Sequence, residues 1–241
     1  MKDTTIAINN ALLARHPNLT VAAFAVSGLG TAAAALAKQG DLFDGVAATL
    51  KECGLSQQNL AEDPRIKGWR TAIAACGIKA STYKGSAEQL VKRTLTDGGV
   101  KTPLPVVTAY CAESAKRVAP MGAYDLARLP GDRIELRLAA PGIDSFSPLG
   151  GRAEDMPLTD KVAVYAVGST VICYAYNHRD SCDTCLVAAT DDAIFVGEAV
   201  EPVHLSPVRA AMSGIRALLT AHGAISGPIA ECSLEAPEVS V

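Results

Sequence analysis

The chain predicts an α+β fold: N-terminal helices, a mixed or antiparallel sheet, and a C-terminal helix. Three observations carry this. Helical apolar patterns gather in the first half, short β patterns run from Asp132 to Asp191, and one amphipathic helix closes the chain. A doubly wound parallel sheet would instead alternate strand and helix throughout.

The elements follow in order. Residues 4–7 are a short apolar stretch, and residues 19–26 read as a buried strand closed by Gly28 and Gly30. Residues 32–48 read as helix, interrupted near Gly40 and Asp41. The next helix starts at Asp63-Pro64, because Asp63 can cap free backbone N–H groups and Pro64 suits a first helical turn. Ile66, Trp69, Ile73 and Ala74 give it one buried face, and Gly77 stops it. In residues 86–95, Ala87, Leu90, Val91 and Leu95 share one side while Lys92 and Arg93 turn away, up to Gly98-Gly99. Residues 106–115 carry a weaker helical pattern, and residues 120–125 begin as a turn. Residues 134–138 alternate at period two, which predicts a half-buried strand. Residues 163–167, 170–174 and 186–190 read as further strands from their β-branched and aromatic content. Ser206-Pro207 starts the last helix, with Val208, Met212, Ile215 and Leu219 as its stripe. Residues 232–241 are expected to be a flexible tail.

Composition narrows the function classes. The 241 residues are 49% hydrophobic and 20% charged, an ordinary globular balance. No apolar run approaches the roughly 20 residues of a membrane span, and Met1-Lys2-Asp3-Thr4 does not open a signal peptide, so a cytoplasmic protein is expected. Seven cysteines without a framework spacing argue for reduced thiols. The net charge of −3 gives no global field for nucleic acid. Locally, Arg65, Lys67, Arg70, Lys79, Lys84, Lys92, Arg93 and Lys101 fall in one third of the chain. They could touch a phosphate backbone or form the solvated face of two helices.

Functional groups concentrate in one window, Asn177-His178-Arg179-Asp180-Ser181-Cys182, with Thr184 and Thr190 close behind. A polar cluster delivered at the end of a hairpin is a common place for a site, and a solvated loop is the bland alternative. Cys182 and Cys185 form a CxxC, with His178 and Cys173 as conceivable further ligands. A structural zinc site needs four ligands and no second pair is present, so no metal and no cofactor are expected. Gly28-Leu29-Gly30 lacks the third glycine of a dinucleotide cradle, and there is no HExxH or nucleophile elbow. A serine triad stays open, since triads are recognised by geometry. Of the four histidines only His178 lies in the cluster; His16, His204 and His222 are expected at helix ends.

Several motifs in order, Asp63-Pro64-Arg65-Ile66-Lys67-Gly68-Trp69-Arg70, residues 86–93, Pro120-Met121-Gly122-Ala123-Tyr124-Asp125, residues 134–139 and residues 177–181 with Thr184 and Thr190, carry a resemblance. The chain resembles stand-alone proteins of the B3/B4 domain family, named for the tRNA-editing domain of the phenylalanyl-tRNA synthetase β subunit. The motifs span residues 63–200, and one B3/B4-like domain is expected over residues 1–231. The resemblance implies an α+β unit whose cavity accepts the amino-acid end of a wrongly charged tRNA, and the synthetase version hydrolyses the ester. It also marks departures. Gly122 stands where the synthetase domain carries a histidine, and the glutamate that reads the misplaced amino acid falls near Ala189. Thr108 and Cys111 replace an Asp and an Asn common in stand-alone relatives, and Ile143 replaces an acidic residue after Gly142.

Beside that resemblance, the expected catalytic residues are His178, Asp180, Ser181 and Cys182, and the expected substrate-binding residues are Tyr124, Asn177, Arg179, Thr184 and Thr190. Arg179 offers a planar fork to a carboxylate or phosphate. Asp180 could fix that arginine or bind an α-ammonium group, and Asn177, Ser181 and Thr184 could orient a carbonyl or a water. An internal Arg179–Asp180 ion pair is the structural alternative. Three functions follow. The first is hydrolysis or binding of mischarged aminoacyl-tRNA at its acceptor end. The second is an enzyme of metabolism acting on a small amino-acid-derived substrate, with Cys111, Cys173 or Cys182 as nucleophile and His178 as base. The third is a non-catalytic binding module or homodimer.

Overall fold

The computed structural model describes residues 3–241. The first half runs β1 (Thr5–Ile8), α1 (Asn10–Arg15), β2 (Thr20–Ser27), α2 (Leu29–Leu36), α3 (Val46–Glu52), α4 (Pro64–Ala75), α5 (Ser86–Asp97) and α6 (Pro105–Arg117). Then come β3 (Met121–Asp125), β4 (Arg133–Leu138), β5 (Ser145–Phe146), β6 (Ala163–Val167), β7 (Thr170–Tyr174), β8 (Arg179–Asp180) and β9 (Ala193–Ala199). The chain closes with α7 (Pro202–Ala221), β10 (Ile225–Ser226), β11 (Ala230–Cys232) and β12 (Glu238–Ser240). The α+β class with its closing helix is as the sequence predicts.

Two sheets form. One has the order β12-β1-β4-β6-β7-β5, with β8 also on β7; the other has the order β10-β2-β9-β3, with β11 also on β2. The second sheet is buried on both faces, and its period-two alternation explains how. On β2, Val21 and Ala23 point into the core shared with the first sheet, while Ala22, Phe24 and Val26 point into a core built with α2, α6 and α7. On β9, Ile194 and Val196 face the first sheet and Phe195 and Ala199 face the helices. The layers are therefore helices, second sheet, first sheet. A polar residue on the inner face of β9 or β3 is trapped between the two sheets.

Four expectations are corrected. Residues 186–190 form no strand: the Thr190 hydroxyl accepts the Val187 N–H at 2.8 Å and ties the segment into a turn. Residues 121–125 are strand β3, registered on β9 from Met121↔Gly197 to Asp125↔Ala193, so the segment expected to begin as a turn at Pro120 is strand from Met121 onward. Helix α7 begins at Pro202, not at Ser206, because Glu201 and His204 cap its first turn reciprocally and Pro202 occupies the first helical position. The flexible tail is replaced by pairing: β12 lies antiparallel to β1 with Ile6 opposite Val239, which gives the sheet's edge backbone its partners. Asp63 caps α4 as expected, accepting Arg65 N–H at 2.9 Å.

Candidate functional site

The site begins with a strained turn. Tyr174 pairs with Arg179 and Cys173 with Asp180, so residues 175–178 must reverse the chain between β7 and β8. Ala175 and Tyr176 do this with φ of 50° and 62°, a left-handed geometry that costs about 1–2 kcal/mol per non-glycine residue. Both are fully buried, and the Tyr176 ring lies edge-on to Trp69 and His16, so packing holds the turn in place. The consequence is positional. Asn177, His178, Arg179 and Asp180 are swung into the gap between the two sheets, the kind of place where backbone strain serves a function.

There they meet β3, β6 and β9. Asn177, Arg179, Asp180, Ser86, Tyr124, Tyr165, Cys173 and Glu198 line an inner cavity of about 70 Å³. Glu198 follows Ile194 and Val196 on the inner face of β9, and the Tyr165 hydroxyl donates to its Oε2 at 3.3 Å. The Tyr124 hydroxyl donates to Asp180 Oδ1 at 3.3 Å. Ser86 N–H donates to Asn177 Oδ1 at 3.1 Å, which docks the start of α5 against the turn. Among the described residues, Glu198 Oε1, Asn177 Nδ2, Ser86 Oγ and Arg179 Nε are buried without a hydrogen-bond partner. Glu198 and Asn177 lie near each other, and Ser86 Oγ and Arg179 Nε are left over, so the cavity is a place for a polar guest, because orphaned buried groups are otherwise costly.

The electrostatics agree. Burial pushes the Glu198 carboxyl up to about 7, against the pull of the nearby Asn177 amide and the Tyr165 hydroxyl. The amide lies close enough to favour the anion without forming a hydrogen bond of normal geometry. Burial likewise raises Asp180, while Cys173, Tyr124 and the Arg179 guanidinium oppose the shift without cancelling it. Two carboxyls thus share the cavity, both shifted upward by burial, and Glu198 is the one carried to about 7. No ion pair joins Asp180 to Arg179 among the described residues; Arg179 Nη1 donates to Leu149 O at 3.2 Å.

Five of the nine expected residues line the cavity: Tyr124, Asn177, His178, Arg179 and Asp180. His178 donates Nδ1–H to Lys84 O at 2.7 Å, which leaves Nε2 facing away from that bond, and burial lowers its pKa, which favours the neutral ring. The other four are placed elsewhere. Ser181, the residue after β8, is fully buried and does not line the cavity, its Oγ accepting Asp183 N–H at 3.1 Å. Cys182 is exposed in a turn whose carbonyls are held by Arg128. Thr184 accepts Asp125 N–H through its carbonyl, and Thr190 donates to Asp125 Oδ2 at 2.6 Å. These threonines pin the segment after the site to the end of β3. Among the described residues no cluster of three or more His, Cys, Asp or Glu could hold a metal ion. Burial raises the Cys173 thiol strongly and lifts Cys111 to about 12, so neither offers a ready thiolate.

Sequence reading missed Glu198, Tyr165 and Ser86. A signal for Glu198 was present: it is the lone charge in the apolar run Ala193-Ile194-Phe195-Val196-Gly197-Glu198-Ala199-Val200.

The family model described as the B3/4 domain matches residues 68–213, a span that includes every cavity residue named above. The chain belongs to the B3/4 domain family. Among curated proteins none matches. Among solved structures, an N-terminal fragment of the phenylalanyl-tRNA synthetase β-subunit from Pyrococcus horikoshii matches at 12% identity and a TM-score of 0.42. The match covers 92% of this chain and 49% of that one, so the chain spans about half the length of that structure.

Three of the positions singled out in the sequence of this B3/4 domain can be placed in three dimensions. Gly122 does face the cavity: a Cβ there would lie 3.3 Å from Tyr124 Oη and 3.7 Å from Asp180 Oδ1. A carboxyl is present in the cavity, supplied by Glu198 and not by the segment around Ala189. After Gly142 and Ile143, Asp144 takes a bidentate pair from Arg137 at 2.7 and 2.8 Å.

Proposed function

We propose that this B3/4 domain accepts the aminoacyl end of a tRNA in the inner cavity and hydrolyses its ester. The observation that carries the reading is the buried Glu198 carboxyl, which lines one cavity with the Asn177 amide that lies close to it and with the Ser86 hydroxyl, buried without a partner. A carboxyl near 7 is suited to general base work at neutral pH. In that role Glu198 takes a proton from a water while the water oxygen bonds to the ester carbonyl carbon. Asn177 Nδ2 and Ser86 Oγ are donors for the oxyanion that develops. Collapse breaks the carbon–oxygen bond to the ribose, and the departing oxygen takes up the proton, so that water and ester give carboxylic acid and alcohol. Asp180 and Tyr124 stand where an α-ammonium or hydroxyl of the aminoacyl group would be read. This reading places the protein with charged tRNA in the cytoplasm, as one B3/4 unit.

A second reading has a specific observation in its favour. Arg65, Arg70 and Lys101 are paired with Asp63, Glu88 and Asp41, which removes part of the basic patch that RNA would need. A small amino-acid-derived ester or amide would then be the substrate of the same cavity.

A 3′-aminoacylamino-3′-deoxyadenosine, whose amide resists turnover, tests the pocket. Arg179→Ala is expected to weaken its binding by about tenfold or more, the worth of one charge-assisted contact, with Tm unchanged. A fall in Tm with unaltered affinity would assign Arg179 to loop structure and remove it from the site.

A further inference from the structure

Beyond the inner cavity a second space opens, about 190 Å³, sharing Ser86, Met121, His178, Arg179 and Asp180 with it. Its long wall is one face of α5. Ser86, Gln89, Leu90 and Arg93 all line it, and their spacing of three, four and seven residues puts them in one stripe. Seven residues of helix rise about 10 Å, so the cleft runs from the acid cavity at Ser86 to a guanidinium at Arg93. The opposite wall is apolar, with Val100, Tyr110 and Leu149.

Arg93 is unlike the other arginines. Each of those has a carboxylate or carbonyl partner, whereas Arg93 makes no side-chain hydrogen bond or ion pair among the described residues. Arg179, at the junction of the two spaces, has a buried Nε without a partner. The cleft's one carboxyl is Asp180, at its inner end. A groove with a polar inner cavity, an apolar wall and an unpaired guanidinium at its far end fits an elongated guest with its negative charge at the outer end.

We propose that the outer cleft is a phosphate subsite, in which Arg93 holds the phosphate of the ligand whose other end occupies the Asp180–Glu198 cavity. The chemistry is shared by two sources, the 5′-phosphate of a terminal nucleotide of RNA and the phosphate of a small metabolite. The inference deepens the function proposed above and rests on it only for the RNA source.

Titration with adenosine, AMP and the trinucleotide CCA, for wild type and Arg93→Gln, tests it. Arg93 is exposed and unpaired, so the substitution leaves the fold intact, which a thermal melt confirms. AMP is expected to bind about tenfold or more tighter than adenosine, with that advantage abolished in Arg93→Gln and inorganic phosphate competing in wild type. CCA binding tighter than AMP, with a salt dependence that drops by about one phosphate in the variant, assigns the subsite to RNA. CCA binding no tighter than AMP assigns it to a small phosphorylated molecule, and the phosphate subsite then stands while the tRNA reading falls. Equal affinity for adenosine and AMP, or an AMP affinity untouched by Arg93→Gln, overturns the subsite whatever the fate of ester hydrolysis.

Discussion

Glu198→Gln is expected to be more stable than the wild type above pH 7 and no more stable near pH 4.5. The Glu198 carboxyl titrates near 4.5 in the unfolded chain and is pushed to about 7 in the fold, chiefly by burial. A raised carboxyl means that the folded state keeps a proton that the unfolded state releases. Stability therefore falls as pH rises through the window from 4.5 to 7, and above it the folded protein bears the full cost of an ionised buried carboxylate. At about 1.4 kcal/mol per pH unit this amounts to about 3 kcal/mol, or about 6–12 °C in Tm for a chain of this size. Glutamine cannot ionise and keeps an oxygen for the Tyr165 hydroxyl, so the loss disappears. Asp180 is shifted in the same direction and leaves a residual slope in the variant. Thermal melts of both proteins across that window decide the matter: converging curves at low pH and diverging ones at high pH are expected, and parallel curves would mean that Glu198 is not held neutral by burial.

Arg137→Ala is expected to cost about 3–5 kcal/mol, the penalty for stranding a buried charge. The Asp144 side chain is fully buried and the Arg137 side chain is 15% exposed. Besides the bidentate pair, Arg137 donates to Leu138 O and Gly168 O, and Asp144 accepts Ala140 N–H at 2.7 Å, so the cluster stitches β4 to the turn between β6 and β7. Burial alone would raise the Asp144 carboxyl, but Arg137 and the Ala140 amide hold it below its usual range. Removing Arg137 leaves that carboxylate with one backbone donor. Denaturant melts of the two single variants and the double variant with Asp144→Ala measure the coupling. A double variant clearly more stable than Arg137→Ala is expected; a loss below about 1 kcal/mol would reduce the cluster to a surface ion pair.

Local signals were legible where they are local in cause. The Asp63-Pro64 start of α4, the period-two strand β4 and the β6–β7 pair follow from caps and alternation, and each forms close to its expected bounds. The errors have tertiary causes. Residues 186–190 look like a strand because Leu186 and Val187 are apolar, yet the Asp125–Thr190 contact folds them into a turn. The last residues look like a tail because nothing in their own pattern reveals that β1 needs an edge partner. The site divides in the same way. The window from Asn177 to Asp180 announced itself by composition, whereas Glu198 and Tyr165 were hidden inside apolar strands. They line the candidate cavity through the stacking of two sheets, which brings β6 and β9 face to face.

The most direct test of the central claim is single-turnover hydrolysis of tyrosyl- and other non-cognate aminoacyl-tRNAs by wild type, Arg179→Ala and Glu198→Gln, across the range in which Glu198 titrates. Wild type is expected to deacylate at least one of them, with a rate that rises as Glu198 ionises near pH 7. Glu198→Gln is expected to lose about 100-fold or more, the contribution of a positioned general base. Failure of the wild type on every aminoacyl-tRNA, or equal rates in wild type and Glu198→Gln, would contradict an ester-hydrolysing site built on that carboxyl.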